Sequence, residues 1–292
     1  MSSQQDIIRR IRSVRNTEKI TKAMELVAAS RLRRAQARIQ ALRPYADRMQ
    51  QLTVEIAAVS SRAHDQPLLE RRDVKAVAVL ALTGDRGLAG AFNANVIRRS
   101  LAVAGEHRGA GHDVRWLVVG RKGGSSLRFR GQEIDAGYTG ITDRPSYADA
   151  GAIAERVAEL YIAGEIDLVV MVYNRFVSAL TQQVETLEVL PVPEKALHGD
   201  DEAEPIQGAY LEEPDRSAIL GRLLPTYIEV TIYRALLEST ASEHGSRMTA
   251  MRNASENAGN LIDSLTLEMN RARQAEITQQ ILEVVAGADA LE

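Results

Sequence analysis

Three stretches of this 292-residue chain have residue types and spacing that could do chemistry. Residues 83–90 (TGDRGLAG) set glycines at 84, 87 and 90 between an apolar run and a helical pattern. Glycine lets backbone N–H groups close on a phosphate where a helix begins. The spacing is G-x-x-G-x-x-G, not the dinucleotide fingerprint, and no Lys-Ser/Thr follows as a nucleotide P-loop requires. A tight structural turn is the competing reading. Residues 120–126 (GRKGGSS) offer the same pair of choices: a phosphate cradle, or a basic turn with a glycine hinge. The third stretch is a basic run that includes Arg9, Arg12, Arg15, Lys19, Arg31 and Arg34. It could track a nucleic-acid backbone or be a solvated helix face, and residues 1–44 hold no aromatic side chain for base stacking.

The usual catalytic sets are missing from the sequence. His64, His107, His112, His198 and His244 fall in separate expected loops or on polar helix faces, with no ligand spacing between any two. The chain has no cysteine, which excludes disulfides, thiol redox switching and thiolate metal sites. No serine stands in a nucleophile-elbow context, and no acidic pair is singled out by apolar neighbours. No catalytic residue, metal ligand or cofactor is therefore assigned.

The elements that would position these residues are unusual. Ile7, Ile11 and Val14 open a four-three spacing that Ala28, Leu32, Ala35, Ile39, Leu42, Ala46 and Met49 continue. This is a heptad seam and predicts a long helix paired with another. Between Val14 and Ala28 the seam carries Glu18, Thr21 and Glu25, so ordinary apolar packing is not expected there. Pro44 predicts a local bend or a missing hydrogen bond. A helix over 4–59 would be roughly 84 Å long, and one from about Thr226 to Ala286 roughly 90 Å. Residues 238–260 are small and polar with few large apolar side chains. Such a helix is marginal alone and needs a close neighbour, so the two ends pair best as an antiparallel coiled coil.

Between them, residues 74–83, 113–120, 166–176 and 180–190 read as strands, with helices near 90–107 and 146–162. Alternating strands and helices predict a small doubly wound α/β body. The fold class is thus α/β with long α-helices: an antiparallel coiled coil of N- and C-terminal helices plus a small inserted Rossmann-like α/β domain. The expected organisation is an N-terminal helix over 1–60, the insertion over 73–192, a linker over 193–210 and a C-terminal helix over 211–292.

Charge is distributed unevenly. Residues 1–50 hold twelve Lys/Arg against four acids, a balance of +8 in a chain whose formal net charge is −3, so the remainder carries −11. One end is expected to meet an acidic surface. Apolar runs stop far short of a membrane span. The Arg-rich start contains Asp6 and Glu18 and runs unbroken into the long helix, so it is read as mature protein rather than a transit peptide.

Three blocks now carry a resemblance: IIRRIRSVRNTEKITKAMELVAASRLRRAQ near the start, LTGDRGLAGAFNANVIR in the middle, and SRMTAMRNASENAGNLIDSLTLEMNRARQAEITQQILEVVAGADAL at the end. Together they span about 90 residues and resemble the gamma subunit of rotary ATP synthases. The resemblance implies a non-catalytic central-stalk rotor carrying torque from an ion-driven proteolipid c-ring to a hexamer of alpha and beta subunits. The α/β domain would be its foot, beside the epsilon subunit. Nucleic acid is not an implied partner, and membrane association would come only through partners.

By motif position the resemblance marks Met24, Arg247, Gln274 and Thr278 as contacts to the catalytic subunits. It marks Ile281, Leu282, Val284, Val285 and Leu291 as a tip in an apolar bearing, and Tyr210 and Glu213 as foot contacts to the ring and epsilon. Ala89 stands where the family often has Cys, and the cysteine-bearing insert of plastid versions is absent. A bacterial-type subunit on the cytoplasmic face of the plasma membrane is expected.

Overall fold

A computed structural model describes residues 4–59, 66–193 and 216–289. In chain order the elements are α1 (Gln4–Val59), β1 (Ala76–Leu82), α2 (Phe92–Gly109), β2 (Asp113–Val119), α3 (Arg121–Phe129), β3 (Ala136–Tyr138), α4 (Tyr147–Ile162), β4 (Leu168–Phe176), β5 (Gln182–Leu190) and α5 (Arg216–Asp289). They form two compact units, one of Met1–Ala28 with Arg247–Glu292 and one of Ala29–Ser246.

The terminal unit is an antiparallel helix pair. Ile7 and Ile11 pack on Leu265, flanked by Val14, Ile262, Met269 and Ala272. Further along, Thr21 meets Ser255 and Glu25 meets Arg252, so partner numbers fall as α1 numbers rise. Of the seam positions that lack apolar side chains, Thr21 and Glu25 are thus buried with polar partners, and Glu18 is half-buried.

The second unit is built on a five-stranded sheet of order β3-β2-β1-β4-β5. Its first four strands are parallel, and β5 returns antiparallel to β4. Alternation along β1 divides the core. Val77, Val79 and Ala81 face Val96 and Val103 of α2 and Leu127 of α3. Ala78, Leu80 and Leu82 face Ile153 and Val157 of α4 and Leu224, Ile228 and Ile232 of α5. Both faces are covered, as near-continuous apolar strands require. Ser146 caps α4 in a reciprocal box with Asp149.

Three expectations change. The GRKGGSS stretch is not a hinge turn but the first turns of α3, with Gly120 at its N-cap. The three-residue β3 carries too short a pattern to be read from sequence. Finally, α5 begins at Arg216 and runs through Pro225, ahead of the helix measured from about Thr226 and inside the 211–292 segment. A proline inside a helix removes one hydrogen bond. Here Leu220, Leu224 and Ile228 are fully buried on either side and hold the helix across the gap. In the same way α1 continues through exposed Pro44, with Ile39 and Met49 buried before and after it.

Candidate functional site

In the terminal unit the polar part of the seam is a small ionic cluster. Glu25 is 6% exposed and accepts hydrogen bonds from Lys22 Nζ at 2.9 Å and Arg252 Nε at 3.1 Å. Hydrogen bonds from Lys22 and then Arg252 hold its carboxyl below the usual carboxylate range, against the opposing effect of burial. Thr21 Oγ1 lies 2.7 Å from Ser255 Oγ. Met24 is half-buried beside Glu25, and Arg247 is 8% exposed at the point where α5 enters this unit.

Beyond Ala272 the character changes. Every residue from 273 to 286 is exposed, including Gln274 and Thr278, whose hydroxyl donates to the Gln274 carbonyl at 2.9 Å. Ile281, Leu282, Val284 and Val285 are each more than half exposed along that same stretch. Leu291, Tyr210 and Glu213 lie outside the described residues.

In the α/β unit the two glycine-rich stretches meet. Thr83 Oγ1 donates to the Val119 carbonyl at 2.7 Å and accepts from Gly123 N at 2.9 Å. Gly120 has φ +93°, and a Cβ there would lie 2.2 Å from Thr83 O, so only glycine fits. Asp85 Oδ1 accepts from Arg121 N, the first amide of α3, at 3.0 Å. Its Oδ2 accepts from Gly140 N at 2.8 Å and Thr142 Oγ1 at 3.0 Å. The place an anion would take at the start of α3 is therefore filled by the chain's own carboxylate, where the helix dipole favours it.

Open α/β sheets bind ligands where the strand order reverses, beyond the carboxyl ends of the strands. Here that point lies between β1 and β4, and α5 occupies it. Ser242 Oγ donates to the Asn174 carbonyl beyond β4 at 3.0 Å, and Asn174 Nδ2 donates to the Phe92 carbonyl at 3.2 Å. Glu243 lies over Gly84 so closely that a Cβ there would be 2.9 Å from its carboxyl carbon.

Two histidines assigned to separate places come together. A reversal at Gly111 (φ +87°) returns the chain, so that His107 Nδ1 and His112 Nδ1 stand 3.3 Å apart. Burial, and then the neighbouring His112, push the His107 pKa down, while Glu106 and Glu188 oppose them. His244 is buried with its Nε2 3.8 Å from Asp143 Oδ1, which also accepts from Arg31. Among the described residues no group of three or more His, Asp or Glu could hold a metal ion.

A family model described as ATP synthase matches residues 3–291. The ATP synthase gamma chain of Heliobacterium modesticaldum is 46% identical over 294 residues, covering all of both chains. That of Nostoc sp. is 44% identical and covers 97% of each. The chain belongs to the ATP synthase gamma chain family. As a gamma chain it is one subunit of an ATP synthase. Among solved structures, a chain of the Tetrahymena thermophila mitochondrial ATP synthase central stalk and c-ring matches with TM-score 0.61 and 27% identity, over 81% of this chain and 99% of that one. A chain of the Euglena gracilis mitochondrial ATP synthase shares the fold, with TM-score 0.71 and 17% identity over 99% of this chain and 94% of that one. No helix among the described residues is long and apolar enough to cross a membrane.

Sequence reasoning missed one feature of this gamma chain. Residues 235–245 of α5 are buried in eleven consecutive positions. A helix buried on every side is normally apolar throughout, yet this one carries Glu238, Ser239, Thr240, Ser242, Glu243 and His244. The signal was present as a polar, small-residue segment read as needing a close neighbour helix. Its first part is instead enclosed by the α/β unit.

Proposed function

We propose that this chain is the central-stalk rotor of an ATP synthase, carrying torque between an ion-driven membrane ring and a catalytic hexamer that makes ATP. The carrying observation is the full-length match to gamma chains, 100% of both sequences for the Heliobacterium relative. It is joined to an antiparallel helix pair whose α5 runs on past its partner with residues 273–286 all exposed. A helix with exposed Ile281, Leu282, Val284 and Val285 needs a surrounding surface, and an apolar bearing in the hexamer supplies one. Leu291 belongs to the same tip.

Gln274 and Thr278, exposed on that helix, and Met24 and Arg247, near the polar part of the pair, are proposed as contacts to the alpha and beta subunits. The +8 balance of residues 1–50 suits an acidic partner surface. Tyr210 and Glu213 are assigned to the foot, facing the epsilon subunit and the c-ring. Catalysis belongs to the partner subunits. The chain is a peripheral membrane subunit, held through its partners on the cytoplasmic face of the plasma membrane in a bacterial-type enzyme.

Reconstitution tests this reading. The purified chain, mixed with alpha and beta subunits of a related bacterial enzyme, is expected to co-purify with them as one copy per hexamer and to restore coupled turnover. ATP hydrolysis by the chain alone, or failure to join the hexamer, would refute it.

A further inference from the structure

The enclosed stretch of α5 is held by directional contacts from several sides. At 3.6 residues per turn, positions 240, 242, 243 and 245 point to different sides of the helix. Thr240 Oγ1 shares its one proton between the Thr142 carbonyl in the β3–α4 loop at 2.9 Å and the Leu236 carbonyl of its own helix at 2.8 Å. Ser242 grips Asn174 beyond β4, and Glu243 lies on Gly84 beyond β1. The β4–β5 turn closes the remaining side, where a Cβ at Gly245 would lie 3.2 Å from the Ala179 carbonyl. Lower on the helix, Leu220 to Leu236 meet the sheet mainly through apolar contacts, with one hydrogen bond at the exposed edge, from Tyr147 of α4 to Glu229 at 2.6 Å. Apolar contacts resist separation but are non-directional, whereas hydrogen bonds weaken steeply when misaligned.

We propose that this collar is a torque-bearing socket, in which the α/β body grips α5 at Thr240, Ser242 and Glu243 and passes rotation into the helix pair. The socket occupies the crevice where α/β folds of this topology bind ligands, so a ligand site has become a mechanical joint. The proposal rests on the rotor reading above and adds where inside the chain the load is carried. Because the apolar contacts hold the helix in place, weakening the socket leaves assembly intact and lets α5 slip under load. Each lost hydrogen bond shifts the balance between seated and slipped helix by about fivefold.

The test uses the complete membrane enzyme in sealed vesicles, with ATP-driven ion pumping and ATP hydrolysis measured in the same preparation. The double variant Thr240→Val with Ser242→Ala is expected to hydrolyse ATP at the parental rate per assembled complex. Its pumping against a standing ion gradient is expected to fall at least about fivefold. A second variant adds Ala179→Cys and Gly245→Cys, since a Cβ at 245 would lie 3.7 Å from the Ala179 Cα, a backbone approach within the range a disulfide spans, in a chain with no other cysteine. Oxidation is expected to restore pumping and reduction to remove it again, a reversible response that loss of folding would not give. A pumping-to-hydrolysis ratio equal to the parental one under load, or pumping and hydrolysis falling in proportion, overturns the socket. A parental complex that hydrolyses ATP without pumping overturns the rotor reading instead.

Discussion

Gly120→Ala tests whether the two glycine-rich stretches are packing devices. The new Cβ would lie 2.2 Å from Thr83 O and 2.6 Å from Thr83 C, both backbone atoms that cannot swing aside. Relief requires the end of β1 to part from the start of α3, stretching Thr83 N to Val119 O (2.9 Å) and Gly123 N to Thr83 Oγ1 (2.9 Å). The positive φ costs an alanine about 1 kcal/mol, the overlap about 1–3 kcal/mol, and two strained hydrogen bonds about 1 kcal/mol each. The total is about 4–6 kcal/mol. Gly131→Ala is the control, since Gly131 also has positive φ (+72°) but nothing within 4 Å of a Cβ. It should cost only the conformational part, about 1 kcal/mol. Trp116, the sole tryptophan, is 1% exposed on β2, three residues before the strand ends at Val119, and reports unfolding of this unit by fluorescence. In urea, with a slope of about 2 kcal/mol per M, the two midpoints should differ by roughly 1.5–2.5 M. Equal midpoints for the two variants would refute the collision argument and reopen residues 120–126 as a free phosphate cradle.

Other expectations follow from the same contacts. Thr83→Val keeps the shape but strands the buried Gly123 amide, while the Val119 carbonyl keeps its bond from Thr83 N, and should cost about 1–3 kcal/mol by urea titration. Glu25→Gln should destabilise the terminal helix pair by on the order of 1 kcal/mol at pH 7. Because the folded pKa of Glu25 is lowered, its contribution is present above the unfolded carboxylate pKa and disappears as pH falls through the folded one, so the variant and parent should converge in acid melts. His107 is also lowered; protons favour the unfolded chain, and stability should drop as pH falls below about 6.5. His107→Asn should flatten that part of the melting profile. Ile281→Asp with Val285→Asp, on an exposed helix, should leave the isolated chain within about 0.5 kcal/mol of the parent yet weaken its capture by an alpha–beta hexamer in pull-down.

Much of the architecture was written in periodicity. The seam from Ile7 to Met49 is buried or half-buried where the spacing put it, because the 3.6-residue repeat and the apolar stripe agree over many turns. The strands β1, β2 and β4 were legible as short apolar runs because both faces of a parallel sheet are covered. What stayed hidden depends on contacts distant in sequence. Nothing near Thr83 announces that its hydroxyl serves Gly123 forty residues on. Nor does local sequence reveal that Gly111 turns His112 back onto His107. That α5 continues through Pro225, a local breaker, depends on the burial of Leu220 and Leu224, which is tertiary. For the proposed partner contacts the residue pattern said little: Gln274 and Thr278 are exposed polar residues on a helix, like many others, and only the family resemblance singled them out.

The α/β unit resembles an enzyme scaffold in its strand order but not in its crevice. A nucleotide site needs free amides at a helix start and open space at the switch point. Here Asp85 takes the first amide of α3, Thr83 takes Gly123 N, and α5 lies across the opening. Each of these groups comes from the chain itself, so the amides and the crevice are filled from within. Polar contacts in a place shielded from water are also stronger and more directional than the same contacts on a surface. Fold and function therefore separate at the level of side chains: the topology that elsewhere presents a cofactor here clamps a helix, and the glycines that elsewhere admit a phosphate here admit Thr83 and Glu243.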